Sequence, residues 1–303
     1  MKILAEGLRF PEGPLILPDG TVGCVEIAGG TLVRVHDGKA SVIAELGGGP
    51  NGAAVGPGGK VFVCNNGGIE WKMTSNGPRS TGRVLDSYTG GSIQVVDPET
   101  GKWDVLYDRC GEHRLTAPND IVFDADGNFW FTDHGKTYAR TEDKGGLYWA
   151  RSDGSEIREA VFGLDAPNGV GLSPDGSIVY VSETRTSRLW AWDIQGEGKV
   201  RKLRGTVSHG GRFIYGPSDY QRFDSLKVTR SGRICVGTLI RGGITEIWPD
   251  GSASRHHMLP ETYVTNLCFS GPDLTTAITA MSFRGMLAAI DWHEPGLPLY
   301  GQV

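Results

Sequence analysis

The chain has 303 residues, a formal net charge of −5 and a pI near 5.8. Its 30 basic side chains are scattered, which excludes the clustered basic face that a nucleic-acid partner requires. Cys24, Cys64, Cys110, Cys235 and Cys268 are odd in number and form no Cys-x-x-Cys pair, so small buried thiols are expected rather than a disulfide framework or zinc knuckle. No apolar run approaches a membrane span, and the opening Met1-Lys-Ile-Leu-Ala-Glu-Gly7 is too short in apolar residues for a secretory h-region. The expectation is a soluble cytoplasmic protein without nucleic-acid or membrane partners, acting as a monomer or homodimer.

Taken in chain order, six short segments share one form: Phe10-Pro-Glu-Gly-Pro14, Gly49-Pro-Asn-Gly-Ala53, Ala117-Pro-Asn-Asp-Ile121, Ala166-Pro-Asn-Gly-Val170, Arg222-Phe-Asp-Ser-Leu226 and Val264-Thr-Asn-Leu-Cys268. Each centres on an amide or carboxylate and leads into an apolar strand, an internal repeat of the kind that builds blades or solenoids. The third and fourth units align without a gap, from Ala117 to His134 and from Ala166 to Glu183. Each reads as a strand, an Asp-Gly turn and a second strand rich in aromatic and β-branched residues, the form of a hairpin. After the fourth unit, Arg188–Asp193 and Lys199–Leu203 alternate again, which predicts four antiparallel strands per repeat.

The 46 Gly and 16 Pro suit a protein made of tight turns, and helical periodicity is lacking; even Arg284 to Ile290 is short and Gly-interrupted. Large all-β folds often use this length for one domain, and no linker divides the repeats, so residues 1–303 are expected to form one domain. Six four-stranded sheets must hide their edges, and radial repetition does so around a central channel. The predicted fold is therefore an all-β, six-bladed propeller of four-stranded antiparallel sheets. Lys2 to Leu8 is expected to close the ring as the outer strand of the last blade, beside Met286 to Trp292.

That fold would bring the six polar residues Glu12, Asn51, Asn119, Asn168, Asp224 and Asn266 to one axis. For any single copy, turn chemistry accounts for Asn before Gly and Asp before Ser, and Asn51 and Asn266 fit that role. Glu12 and Asp224 depart from the Asn of the other repeats, as if charge were demanded. Glu12, Asn119, Asn168 and Asp224 together make an oxygen-only set of formal charge −2, suited to Ca²⁺, Mg²⁺ or Mn²⁺. Without a cation one carboxyl group would have to take up a proton.

These segments, with Phe131-Thr-Asp-His-Gly135, Gly146-Leu-Tyr148, Leu172-Ser-Pro-Asp-Gly176 and Phe223-Asp-Ser-Leu226, resemble the SMP-30/gluconolactonase family over nearly the whole chain. The resemblance implies a six-bladed propeller with one divalent cation, Ca²⁺ foremost and Mg²⁺, Mn²⁺ or Zn²⁺ as alternatives. It also implies hydrolysis of sugar lactones or related esters by Lewis-acid activation of the carbonyl. By position, Glu12, Asn168 and Asp224 correspond to metal ligands, and Asn119 to an Asn that reaches metal or substrate. Asp224 is the first candidate for base or water-positioning residue, with Asn119 the second catalytic candidate.

One departure is Ala117, which stands where some members, mammalian lactonases among them, place an Arg for sugar hydroxyls. Substrate preference therefore does not carry over. The insertion Asn65 to Gly90, with Trp71, Lys72, Arg79 and Arg83, has the length of a binding loop or a mere decoration. Trp71, Asn119, Asp120 and His134 form the candidate substrate-binding set. His256, His257 and His293 show no ligand-like partner spacing and receive no role. Two other readings stay open: an organophosphate or arylester hydrolase on the same donors, and a non-catalytic binding propeller with a structural cation.

Overall fold

The computed structural model describes residues 1–75, 77–205 and 207–302 and contains six antiparallel sheets arranged as the blades of a propeller. Each blade begins with its innermost strand: Pro11–Ile16, Pro50–Val55, Pro118–Phe123, Pro167–Leu172, Arg222–Val228 and Val264–Ser270. These strands neighbour one another in sequence order, and the sixth packs back on the first, which closes the ring. Lys2–Ala5 pairs antiparallel with Met286–Asp291, Lys2 opposite Ala289, so the N-terminal strand completes the last blade as expected.

The fourth blade differs from its prediction. Lys199–Val200 pairs only with the end of Arg188–Gly196, while Arg212–Tyr215 supplies the outer strand beside Leu189–Ala191. The alternation after Val200 is carried by Arg201 and Lys202, which have nothing apolar to cover. Phe213, by contrast, meets Trp190 edge-on at 5.6 Å, and Tyr215 stacks on Phe223.

Apolar side chains of neighbouring blades pack face to face. Phe62, Phe123, Phe129 and Phe131 fill the space between the second and third blades, and Trp130, Trp149, Trp190 and Trp192 that between the third and fourth. Each such side chain contributes about 1.5–3 kcal/mol by leaving water. Cys24, Cys64, Cys235 and Cys268 are buried thiols, and Cys110 is half-buried, all unpaired. Among the described residues no helix is long and apolar enough to cross a membrane.

Two local devices aim the repeated polar residues. All six innermost strands carry a register irregularity over the polar position, for example between Glu12 and Leu15 and between Pro167 and Val170. A bulge bends the strand and turns a side chain that would otherwise face a neighbouring sheet. Blades also approach so closely here that a Cβ at Gly169 would lie 2.4 Å from the Leu226 amide nitrogen, which accounts for Gly after Asn168.

Candidate functional site

In the first four blades the loop leading into the innermost strand is pinned by an acceptor at the end of the second strand. Asp133 Oδ1 accepts from the amides of Ala117 (2.7 Å) and Gly135 (3.1 Å), and its Oδ2 from that of Thr116 (2.6 Å). Glu183, Asn65 and Glu26 do the same for Asp165, Gly49 and Arg9. A second set of latches joins the third blade to the fourth, the fourth to the fifth and the sixth to the first. Thr132 Oγ donates to the Asn168 carbonyl, Ser182 Oγ to the Asp224 carbonyl (2.5 Å) and Ser282 Oγ to the Pro11 carbonyl (2.7 Å). The backbone at Asn168, at Asp224 and just before Glu12 is thus held from the preceding blade. Phe10 and Ala166, the residues before two of the prolines, sit at φ 60° and 56°, so strained backbone flanks the site.

Glu12, Asn119, Asn168 and Asp224 are all buried at the axial mouth of the ring. Glu12 Oε2 accepts from Asn266 Nδ2 (2.7 Å) and from the Gly13 amide, whereas its Oε1 is buried without a hydrogen-bond partner. Asn119 Oδ1 is buried and unpartnered as well. Asn168 donates through Nδ2 to Thr184 Oγ (3.0 Å), which turns its Oδ1 inward to the Ser225 hydroxyl at 3.2 Å. Asp224 Oδ1 accepts from the Ser225 amide (3.0 Å).

Burial pushes the Glu12 carboxyl up to about 7, with the nearby Asp120 charge adding to the effect. Asp224 is driven well above the usual carboxylate range, first by burial and then by the charge of Glu12. The carboxyl groups of residues 12 and 224 therefore interact, and both oppose ionisation while no cation stands between them. Two partnerless buried oxygens and two carboxyl groups unable to share a charge are the features a hard cation would relieve, and these residues fit one. Asn266, expected to be a turn residue, is a strut that orients Glu12.

Beside this cluster lies a cleft of about 240 Å³ on the same face. Asn119 lines it together with Trp71, His134 and Lys136, so Asn119 belongs to both cluster and cleft. Asp120, expected among the substrate contacts, is held elsewhere: its Oδ2 lies 3.5 Å from Lys227 Nζ and 3.3 Å from the Val170 amide. Its charge acts on Glu12 and Asp224 from beside the ligand set. Burial, with the charges of Arg185, Lys136 and Arg222 behind it, lowers His134 to about 4, so its imidazole is neutral at neutral pH.

The insertion from Asn65 to Gly90 covers this cleft. It contains a hairpin of Trp71–Thr74 and Gly77–Ser80, and Trp71 packs on Phe10 with ring centroids 5.0 Å apart. Arg79 reaches the sixth blade, donating to the Phe283 carbonyl (3.1 Å) and lying over its ring. At the loop's base, Lys136 Nζ donates to the Gly68 carbonyl (2.8 Å) and faces the Tyr88 ring.

Two histidines that receive no role from the sequence, His257 and His293, come together with Glu246 in the fold. Glu246, His257 and His293 meet at the outer rim between the fifth and sixth blades. His257 and His293 come together only because the sixth blade packs beside the fifth, so no spacing along the chain announces them.

The molecule is a six-bladed propeller whose axial mouth gathers buried oxygen donors next to a covered cleft. Residues 10–282 match the model of the SMP-30/gluconolactonase/LRE-like region, and the chain belongs to that family. It is 24% identical to the gluconolactonase of Zymomonas mobilis, over 92% of this chain and 78% of that protein. It spans about half the length of the staphylococcal lactonases that it also matches. Its fold is similar to that of a gluconolactonase from Xanthomonas campestris, with a TM-score of 0.74 and 22% identity over 95% of this chain and 88% of that one. It is similar also to regucalcin, a calcium-binding protein from Agrobacterium tumefaciens, with a TM-score of 0.71 and 17% identity over 98% and 97%.

Proposed function

We propose that residues 1–303 act as one catalytic domain that hydrolyses a lactone, with a sugar lactone as the substrate class. In this reading a divalent cation, Ca²⁺ foremost, is held by Glu12, Asn168, Asp224 and Asn119. The observation that carries it is the axial cluster, where Glu12 Oε1 and Asn119 Oδ1 are buried without partners and the Glu12 and Asp224 carboxyl groups oppose each other's ionisation. The lactonase and gluconolactonase names of its relatives support the same chemistry. When bound, the cation supplies Lewis acidity toward an ester carbonyl oxygen.

The chain's own residues do the rest. Ring opening consumes one water: the acyl carbon gains the hydroxyl oxygen, the ring C–O bond breaks, and the ring oxygen leaves with a proton as a hydroxy acid forms. Asp224 positions that water and, ionised when a cation offsets the charge of Glu12, would take its proton. Asn119, which faces both cluster and cleft, fixes the ester group, while the Trp71 ring offers an apolar wall to the sugar's carbon face. His134, neutral, hydrogen-bonds substrate rather than delivering charge. Asp120 is assigned to the charge balance of the cluster through Lys227 and not to substrate.

The test is hydrolysis of an aldonolactone before and after chelation. Activity is expected to vanish with chelator and return with Ca²⁺ or another divalent ion. Full activity in exhaustively chelated protein would overturn the metal role, and turnover of a phosphotriester in preference to the lactone would overturn the substrate class.

A further inference from the structure

Glu246 lies in the third strand of the fifth blade, Ile244–Ile247, and His257 in its outer strand, Ser254–His257. His293 follows the third strand of the sixth blade, Met286–Asp291. His257 Nε2 is 2.9 Å from Glu246 Oε2 and His293 Nε2 is 3.0 Å from Oε1, and one ligand atom from each residue lies within 4.8 Å of the others. We propose that these three side chains form a second metal site, separate from the axis, for a divalent transition metal of the zinc class.

The chemistry of the donors sets the class. Two imidazoles and one carboxylate suit Zn²⁺, Co²⁺ or Ni²⁺, whereas Ca²⁺ and Mg²⁺ favour oxygen-only sets such as the axial one. Tetrahedral bonds of about 2.0–2.1 Å place ligand atoms about 3.3 Å apart, inside the 4.8 Å that already spans one donor atom from each of the three side chains. The surroundings act as supports. Glu246 is fully buried, and its carboxylate accepts from Arg233 as well as facing both imidazoles. The Arg233 guanidinium, 3.1 Å from Oε1 and lying over Trp248, fixes the carboxylate's orientation from behind. The Trp292 ring, 4.5 Å from that of His257, forms an apolar wall. On the open side a groove of about 500 Å³, lined by Met1, Arg255 and Asp291 among others, gives a route in and room for a water as fourth ligand.

The position gives the site a purpose. His293 starts the C-terminal segment that crosses the far mouth of the channel, where the Leu297 amide donates to the Val228 carbonyl (2.9 Å) and Tyr300 meets Phe123. A metal on Glu246, His257 and His293 would tie that segment to the fifth blade.

The experiment titrates the full chain with Co²⁺ while excess Ca²⁺ fills the axis, and follows visible absorption. One equivalent should bind with the intense bands of a tetrahedral N/O site and be displaced by Zn²⁺. His257→Gln or His293→Gln should weaken binding at least about 100-fold, beyond the effect of losing an outer partner. Asp224→Asn should leave the bands intact, and Zn²⁺ should raise the melting temperature of that variant but not of His293→Gln. His293 is partly exposed, so its variant should fold, which circular dichroism verifies. Absence of the bands in wild-type protein, or Co²⁺ binding by either His variant as tight as by wild type, would overturn the proposal.

Discussion

The two mouths of the channel are built from the same six strands and differ in what those strands present. Where the strands enter, they offer Glu12, Asn119, Asn168 and Asp224, buried polar groups whose hydrogen-bonding capacity the protein leaves partly unfilled. Where they leave, they offer Leu15, Val122, Phe123, Leu172 and Val228, and the C-terminal segment lays Leu297, Pro298 and Leu299 against them. Between the two, Lys227 pairs with Asp120. One end is closed by the hydrophobic effect and needs nothing further; the other keeps charge and unpaired oxygen, a costly arrangement that a bound cation would relieve. Strand direction alone sorts the ring into a sealed base and a reactive rim.

The sharpest way to break this contrast is Asp224→Asn. The side chain keeps its shape, the latch from Ser182 reaches the backbone carbonyl and is unaffected, and removal of one of two opposed carboxyl groups relieves the apo protein. Lactone turnover should fall about 10²–10⁴-fold, the range for a lost general base, with the melting temperature unchanged or raised. Wild-type kcat in this variant would remove Asp224 from the chemistry.

Next in size is an acid effect at His134. Its folded value of about 4 lies below the ordinary 6.5, so between these pH values the unfolded chain binds the extra proton and stability declines as pH falls. The stabilisation is complete above pH 6.5 and is lost by pH 4, a swing of about 3 kcal/mol. Across this window wild type should lose stability relative to His134→Gln, so the gap between their melting curves should change by about 3 kcal/mol; parallel curves would show that His134 is not charged on unfolding.

How much of this was legible in the chain depends on whether a feature is local. The Pro-Asn and Pro-Glu turns repeat within each unit, and the hairpins that follow are short-range, so blade number, ring closure through Lys2–Ala5 and the axial position of Glu12 and Asp224 all follow from the sequence. Partnerships between units were not legible. Nothing near Asn266 says that its amide reaches Glu12 across the closing seam, or that Asp120 faces Lys227 rather than the cleft. The hydroxyl latches left a fainter trace: Thr132 and Ser182 each stand one residue before the carboxylate that ends the second strand, Asp133 and Glu183.

Those latches give a smaller effect at the same mouth. Thr132 Oγ joins the Asn168 carbonyl to the Asp120 amide, so Thr132→Val keeps the volume and strands both groups. A loss of about 1–3 kcal/mol is expected in denaturant melts, together with weaker retention of the axial cation. A variant that loses stability and keeps its metal affinity would mean that the latch braces the ring without aiming Asn168.

The smallest effect should come from the cover. Trp71 sits on Phe10, the residue before Pro11-Glu12, and both line the cleft, while Arg79 anchors the hairpin to the sixth blade independently. Trp71→Ala therefore removes one wall without freeing the hairpin or altering an axial donor. An aromatic contact of about 0.5–1.5 kcal/mol corresponds to a several-fold rise in KM. Because Glu12, Asn119, Asn168 and Asp224 stay in place, kcat should hold near its original value. If kcat falls with KM unchanged, the ring is helping to set the axial geometry through Phe10, and the division between a reactive rim and a separate cover would have to be redrawn.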